Sequence, residues 1–241
     1  MNTNEEHQKY LMKIHISTSS NKTKEVIESE LTWLEALDRD TNLCIPTPIR
    51  NLVGDLITET SAFHNENKLI ITLHRWVNGD VLNREPTSNE TANLALIMAT
   101  LHKHSMQWNI PDGFNRPIYN SDNLFTTLNQ LKQLLHLELL SSEEFAYVEQ
   151  SALKISKVIE RQKRSCESWG VIHSDLHESN YVFYNDNPRP IDFSNCGHGF
   201  YLFDVAETLL HLSYDNRKIF IASYIQNYFI KYLQGESFLL N

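Results

Sequence analysis

The sequence is short of cysteine, of positive charge and of long apolar runs, and each shortage excludes a class of protein. Its three cysteines, Cys44, Cys166 and Cys196, lie far apart without a C-x-x-C pair, which predicts reduced thiols and a cytoplasmic location. The net charge of −9 argues against a general nucleic-acid surface. No apolar run approaches the roughly 18 residues of a membrane span, so no membrane association is expected. The acidic, polar start of the chain is unlike a signal peptide.

What the chain does contain is typical of a globular protein with a sizeable core: 241 residues, 41% hydrophobic and 21% charged. The periodicity predicts an α+β fold in two units, residues 1–78 and residues 79–241. In the first unit we expect strands at Lys9–Ile16, Asp55–Thr60 and Lys68–Leu73, a helix at about Lys24–Leu37 and a hinge at His74–Val77. The second unit is predicted to be mainly helical, with capping boxes at Thr87–Glu90 and Ser141–Glu144.

The most informative stretch is Val171–Asn195. Two short apolar runs, Tyr181–Tyr184 and Pro190–Phe193, flank the turn-forming residues Asn185–Pro188. Turn formers between short apolar runs predict a β-hairpin.

The expected register of this hairpin brings three polar side chains together. Pairing Tyr184 with Arg189 places Asn180, which precedes the first strand, close to Asp192, because paired residues lie about 5 Å apart. Asp175 lies just upstream in the same loop. Two carboxylates and an amide supply oxygen ligands, which suit Mg²⁺ bound to phosphate groups.

A second pair of charges is predicted near the N-terminus. In the helix at about 24–37, Glu30 projects from inside the apolar arc, where an unpaired carboxylate is costly. Lys13, on the less apolar face of the preceding strand, is the expected partner. The apolar arc consists of Val26, Ile27, Leu31, Trp33, Leu34 and Leu37.

Five features follow one another in a fixed order along the chain. They are a strand lysine, a helix glutamate, a hinge, the motif I-H-S-D-L-H-E-S-N at 172–180 and the motif I-D-F at 191–193. With Phe203-Asp204, this set resembles the aminoglycoside phosphotransferase/choline kinase-like family over about Tyr10–Leu212. The stretches at 30–34 and 40–46 also look like its homoserine-kinase-like branch. The resemblance implies a protein-kinase-like, two-lobed α+β fold with a shortened N-lobe (1–78) and a mainly helical C-lobe (79–241) that contains the catalytic loop and hairpin.

The resemblance also implies an ATP- and Mg²⁺-dependent transfer of the γ-phosphate to a hydroxyl of a small metabolite or antibiotic. Asp175 would orient that hydroxyl and accept its proton, while Asn180 and Asp192 would hold Mg²⁺. Lys13, positioned by Glu30, would contact the ATP phosphates. His173 and Asp204 would hold the catalytic loop in place. The backbone groups of His74, Arg75, Trp76 and Val77 would contact the adenine.

The chain departs from that family at its start. Only twelve residues precede Lys13, and no glycine occurs before Gly54, whereas the family has two strands and a phosphate-covering turn there. We therefore expect an N-terminally truncated member with weak ATP affinity. The strand of Lys13 would then be an exposed sheet edge, which could support a homodimer.

Two other functions are compatible with the motifs. A truncated, inactive pseudokinase-like binding protein would retain the fold without turnover. A metallohydrolase could use His173, Asp175 and His177, at alternating positions, with Asp192 as a fourth zinc ligand.

Overall fold

The computed structural model describes residues 8–16, 23–62 and 65–235, so the ends of the two predicted units, residues 1–7 and 236–241, lie outside the described residues. The N-terminal part is an antiparallel sheet with one helix. Its elements are β1 (Tyr10–Ile16), α1 (Lys24–Asp40), β2 (Pro48–Ile49), β3 (Thr58–Ala62) and β4 (Asn65–Arg75). β4 is central, with β1 on one side and β2 and β3 on the other. Strand β4 begins at Asn65, three residues before the strand that the sequence predicts at Lys68–Leu73, and ends two residues after it.

Helix α1 forms where the apolar arc predicted it and runs three residues further, to Asp40. The Thr23 side chain caps its start by accepting a hydrogen bond from the Val26 amide at 3.4 Å. Its apolar arc is buried except for the half-buried Val26, and Trp33 packs edge-on against Phe193, with 5.7 Å between the ring centroids. This contact joins the helix to the stretch that carries the predicted metal ligands.

The C-terminal part is mainly helical, as predicted. Both predicted capping boxes are present, at the starts of α2 and α4. It also contains two short two-stranded ladders: β6 pairs with β7 in the expected hairpin, and β5 pairs with β8, which was not anticipated. The elements are α2 (Ser88–Gln107), α3 (Ser121–His136), α4 (Ser142–Arg161), β5 (Trp169–Ile172), β6 (Tyr181–Tyr184), β7 (Asn187–Pro190), β8 (Gly197–Phe200), α5 (Tyr201–Leu210) and α6 (Tyr214–Gly235).

The hairpin forms, but its predicted register is wrong by two residues. Tyr184 pairs with Asn187, not with Arg189, and the second strand is β7 rather than 190–193. The turn contains only Asn185 and Asp186, both with positive φ (50° and 60°). Asn and Asp tolerate this left-handed conformation, so a tight two-residue turn replaces the expected four-residue loop. Because the shift is even, each side chain keeps its face of the ladder.

The hinge between the two parts follows β4. Asp80 and Phe183 exchange both backbone hydrogen bonds, at 2.9 Å each, so the chain leaving the hinge joins the β6–β7 hairpin. Gly79 lies at φ +153°, and a Cβ there would lie 2.7 Å from Val182 Cγ2. Glycine at this position lets the hinge pass against the hairpin.

Strand β1 pairs with β4 alone among the described strands and has an apolar outer face. Among the described residues no strand pairs with the edge of β1 that faces away from β4. Tyr10, Met12 and Ile14 are each about half exposed, whereas Lys13 points to the inner face. Association of two copies through this edge stays a prediction. In the described part of the chain, no helix combines the length and hydropathy needed to cross a bilayer.

Candidate active site

The loop that follows β5 is held by one buried carboxylate. Asp204, fully buried on α5, accepts the backbone amides of His173 at 2.9 Å and Ser174 at 2.7 Å. Its Oδ2 also lies 3.0 Å from His102 Nε2 on α2. Burial alone would raise the pKa of Asp204, but the His102 contact and the amide donors outweigh it and lower the pKa. Asp204 therefore remains an acceptor for the loop.

Backbone geometry in this loop is unusual at Ser174, which has a φ of +64°. Its amide is bound by Asp204, and its hydroxyl donates to the carbonyl of Asn195 at 2.6 Å. A left-handed non-glycine residue persists only where its surroundings hold it. These bonds set the direction in which the next side chain, Asp175, leaves the loop.

The carboxylate of Asp175 is oriented by two amides. Its Oδ2 accepts from Asn180 Nδ2 at 2.9 Å and from Asn195 Nδ2 at 2.8 Å. Asn180 also donates to the Asp175 carbonyl, at 2.8 Å. With its nitrogen used in this way, Asn180 presents its oxygen as the atom able to coordinate a cation. Asn195 was not anticipated, although it lies only two residues beyond the I-D-F motif.

Asp192 and Lys13 meet across the cleft. Lys13 Nζ lies 3.6 Å from Asp192 Oδ1 and 3.9 Å from Glu30 Oε1, so the expected lysine–glutamate contact is present. Partial burial would raise the pKa of Asp192, but the charge of Lys13 and the bond from the Ser194 amide (3.0 Å) outweigh it, and the pKa is lowered. The Asp192 side chain is 43% exposed and ionised, which fits a cation ligand.

Arg116 is a charged residue of this region that the sequence did not reveal. It is 5% exposed and lies 3.8 Å from Glu30 Oε2. Its guanidinium donates to the carbonyls of Val26 (3.0 Å), Ser194 (2.6 Å) and Cys196 (2.6 Å). Arg116 thus connects α1 to the segment that follows Asp192. It lies in an irregular linker without a motif, so no local pattern marks it.

Two of the predicted residues, His173 and His74, have buried side chains and are not part of the cluster formed by Lys13, Asp192, Asn180 and Asp175. The His173 ring is fully buried against Phe193, with the ring centroids 4.7 Å apart, and burial lowers its pKa. Its imidazole is therefore closed off from solvent. His74 is also buried: its Nδ1 donates to the Pro46 carbonyl at 3.1 Å, and its pKa falls to about 4 through burial.

A cleft of about 220 Å³ lies between the hinge and the hairpin. Arg75, Trp76 and Val77 line it, but the Arg75 and Trp76 amides already donate to the Thr47 and Lys9 carbonyls. The other lining residues are both polar and apolar: Leu11, Lys13, Pro46, Gly79, Ser179, Asn180, Val182, Ile191 and Asp192. The cleft therefore combines an apolar wall with the lysine, amide and carboxylate described above. A larger open groove elsewhere contains none of these residues.

The four zinc ligands considered from the sequence do not form one group. His173 is buried in the core, and within the described residues the group of His, Cys, Asp and Glu side chains close enough to hold a metal is His177, Glu178 and His211. Asp175, Asn180 and Asp192 supply oxygen atoms, which is the ligand type that Mg²⁺ prefers.

Comparison with known sequences gives one family and one related protein. The family described as "Phosphotransferase enzyme family" (APH) matches residues 3–239. An uncharacterized protein of Synechocystis sp., sll1119, is 27% identical over 202 residues, which are 81% of this chain and 53% of that protein. The chain thus spans about half the length of this curated relative.

Solved structures share the fold at low sequence identity. Amicoumacin kinase hAmiN, in complex with AMP-PNP, Ca²⁺ and Ami, has a TM-score of 0.73 and 16% identity over 93% of this chain and 66% of that one. A microcompartment-associated aminopropanol kinase has a TM-score of 0.65 and 20% identity, covering 92% and 70%. Choline kinase from Cryptosporidium parvum has a TM-score of 0.59 and 14% identity, covering 91% and 66%.

Proposed function

The chain belongs to the phosphotransferase enzyme family and has a protein-kinase-like α+β fold; from that premise we propose that it transfers the γ-phosphate of ATP to a hydroxyl of a small molecule. One observation carries the proposal: Lys13, Asn180 and Asp192 line one cleft, although Lys13 and Asp192 are 179 positions apart in the sequence. Asp175 adjoins this group through the hydrogen bond that its Oδ2 accepts from Asn180. Phosphoryl transfer depends mainly on positioning and charge neutralisation, and these are the groups that supply both.

Asp175 is assigned the acceptor side of the reaction. Because the Asn180 and Asn195 amides both bind Oδ2, the carboxylate is held in one orientation. In this role it binds the acceptor hydroxyl and takes up its proton as the phosphorus–oxygen bond forms. His173, whose ring is buried, and Asp204, which binds the loop amides, are assigned the positioning of Asp175 rather than contact with the reacting atoms.

The phosphate side is assigned to Lys13, Asn180 and Asp192. The Asn180 oxygen and the ionised Asp192 carboxylate are a donor set that fits Mg²⁺, and when bound that ion would neutralise phosphate charge. Lys13, which already contacts Asp192 and Glu30, would bind phosphate oxygens. For the adenine, the apolar wall formed by Leu11, Val77 and others and the main chain of the hinge are the proposed surface.

The test is phosphoryl transfer from radiolabelled ATP with Mg²⁺ to a panel of choline, ethanolamine, homoserine and aminoglycosides. With the acceptor that gives product, Asp175→Asn and Asp192→Ala should each lower turnover at least about a hundredfold, since a general base alone contributes that much. Asp215→Asn, an exposed carboxylate on α6, is the matched control and should keep the wild-type rate.

The outcomes separate the competing functions. Wild-type rates in both Asp175→Asn and Asp192→Ala would overturn the assignment of the site. ATP·Mg²⁺ binding with no product from any acceptor would support the pseudokinase-like alternative. Product formation that needs Mg²⁺ and disappears in both variants is the expected result.

A further inference from the structure

A cluster of metal-binding side chains lies beside the proposed active site without being part of it. His177 and Glu178 follow Asp175 in the loop, and His211 lies at the end of α5. One ligand atom from each lies within 4.8 Å of the other two. His211 Nδ1 is 3.2 Å from Glu178 Oε2, and His177 Nδ1 is 4.0 Å from the same oxygen. The two rings are stacked, with centroids 5.0 Å apart.

Each histidine has a carboxylate at its other ring nitrogen. His177 Nε2 lies 3.3 Å from Asp175 Oδ1 and 3.1 Å from Asn180 Nδ2, and His211 Nε2 lies 3.5 Å from Glu207 Oε1. Histidines that ligate metals almost always donate their second N–H to a carboxylate, carbonyl or water, which fixes the tautomer and leaves the first nitrogen able to bind the ion. In both histidines a carboxylate oxygen lies within 3.5 Å of the second ring nitrogen, where it can accept such an N–H once the first nitrogen binds an ion. This placement is a second observation, independent of the ligand distances, that points to a metal.

We propose that His177, Glu178 and His211 bind a divalent transition metal of the zinc class, with water in the fourth position. Zinc is bound at about 2.0–2.2 Å by His and carboxylate ligands, so tetrahedral ligand atoms lie about 3.4 Å apart. The His211–Glu178 pair already has this spacing, and His177 closes the remaining gap by giving up the weak bond, 3.3 Å, that its Nδ1 accepts from the Ser179 amide. Glu178 and His211 are accessible from solvent, so the ion reaches them without unfolding.

Occupancy of this site regulates the phosphoryl transfer, a consequence that rests on the proposed function. The metal would fix the His177 Nε2–H toward Asp175 Oδ1. That carboxylate oxygen is the one not bound by the Asn180 and Asn195 amides. A bound zinc ion therefore withdraws the proposed base from the acceptor hydroxyl and inhibits turnover.

The primary test measures metal binding and needs no turnover. The metal-free chain is titrated with Co²⁺ and with Zn²⁺ in excess Mg²⁺, which occupies oxygen-ligand sites, while calorimetry and the visible spectrum of Co²⁺ are recorded. The wild-type chain should bind one ion with a tetrahedral Co²⁺ spectrum. His211→Ala and Glu178→Gln should each weaken binding at least about tenfold. His136→Ala, an exposed histidine at the end of α3, is the matched control and should bind as the wild type.

The remaining outcomes distinguish the metal site from the enzyme. Absence of Co²⁺ and Zn²⁺ binding to the wild-type chain, or unchanged binding in His211→Ala, would overturn the metal site whatever the activity. Zinc in excess Mg²⁺ should inhibit wild-type turnover and leave that of His211→Ala unaffected. Equal inhibition of both would overturn the regulatory role, whereas a chain that binds Co²⁺ but transfers no phosphate would refute only the proposed function.

Discussion

The two sides of the cleft hold their charged groups in opposite ways. On the C-terminal side, Asp204 is fully buried and makes three short contacts, with His102 and with the His173 and Ser174 amides. On the N-terminal side, Lys13 lies on β1, for which β4 is the one partner among the described strands, and makes contacts of 3.6 and 3.9 Å. The short, buried hydrogen bonds of Asp204 hold the loop in one conformation, whereas the longer contacts of Lys13 allow its side chain several positions.

This difference indicates which half of the proposed site is preorganised. The acceptor side is set by hydrogen bonds formed on folding, so Asp175 has its direction before any substrate binds. On the phosphate side, the ammonium group of Lys13 is attracted to both Asp192 and Glu30. A bound nucleotide could draw this group toward its phosphates. Arg116 connects the two sides through its contacts with Glu30 and the Ser194 carbonyl.

The largest effect is expected at the rigid side, with Asp204→Asn. Asparagine has one acceptor oxygen, so its NH₂ group would face one of the two loop amides or His102. Breaking a buried charged network of this kind costs about 3–5 kcal/mol of unfolding free energy. Urea unfolding measures it, and Asp215→Asn, whose side chain is 87% exposed, is the control. A loss as small as in this control would show that the two sides are held alike.

The rigid side is also the part that the sequence predicted best. The charged residues occur there within short, ordered motifs, and the two capping boxes follow from local chemistry. The hairpin register was wrong because turn length depends on whether Asn185 and Asp186 adopt positive φ, which the composition of 185–188 does not determine. Despite this error in the register, Asn180 and Asp192 lie in the same cleft, because the Ile191 amide donates a hydrogen bond to the Asn180 carbonyl at 3.0 Å.

What the sequence could not predict are long-range contacts without a repeating pattern. Arg116 lies in a linker, and its carbonyl partners come from segments 78 to 90 residues away. His173 belongs to the motif, yet packing against Phe193 buries its ring. Such placements depend on tertiary packing, which neither periodicity nor motif spacing encodes.

An intermediate effect is expected from acid, through His74 in the N-terminal sheet. Its pKa in the folded protein is about 4, below the 6.5 of the free side chain. The unfolded chain therefore takes up a proton first as pH falls, and stability declines between about pH 6.5 and pH 4. From pH 7 to pH 5 the His74 contribution is a loss of about 2 kcal/mol.

His74→Gln should remove that part of the pH dependence. The quantity to compare is the change in unfolding free energy from pH 7 to pH 5 in the wild type and the variant, which cancels any loss common to both pH values. His136→Gln, at an exposed position, should keep the wild-type dependence. Parallel pH profiles in all three proteins would show that His74 is not the group responsible.

The smallest effect on stability is expected at Lys13, and it sharpens the comparison most. Ion pairs that are long and partly solvated contribute about 1 kcal/mol or less, so Lys13→Met should leave urea unfolding nearly unchanged. If Lys13 binds ATP phosphates as proposed, the same variant should nevertheless weaken ATP·Mg²⁺ binding at least about tenfold, because methionine offers no charge. Lys13→Arg, which keeps the charge, should lose less.

Two measurements on the wild type, Lys13→Met and Lys13→Arg separate the effect on nucleotide binding from the effect on stability. Calorimetric titration with ATP·Mg²⁺ gives the affinity, and urea unfolding gives the free energy of unfolding. A stability loss as large as that of Asp204→Asn would mean that the charge on β1 maintains the fold, and the contrast between the two sides would disappear. Unchanged nucleotide binding with unchanged stability would instead make Lys13 a surface charge. The expected result is weak ATP·Mg²⁺ binding in a variant that is as stable as the wild type. That combination requires that Lys13 contributes to nucleotide binding and not to the stability of the fold.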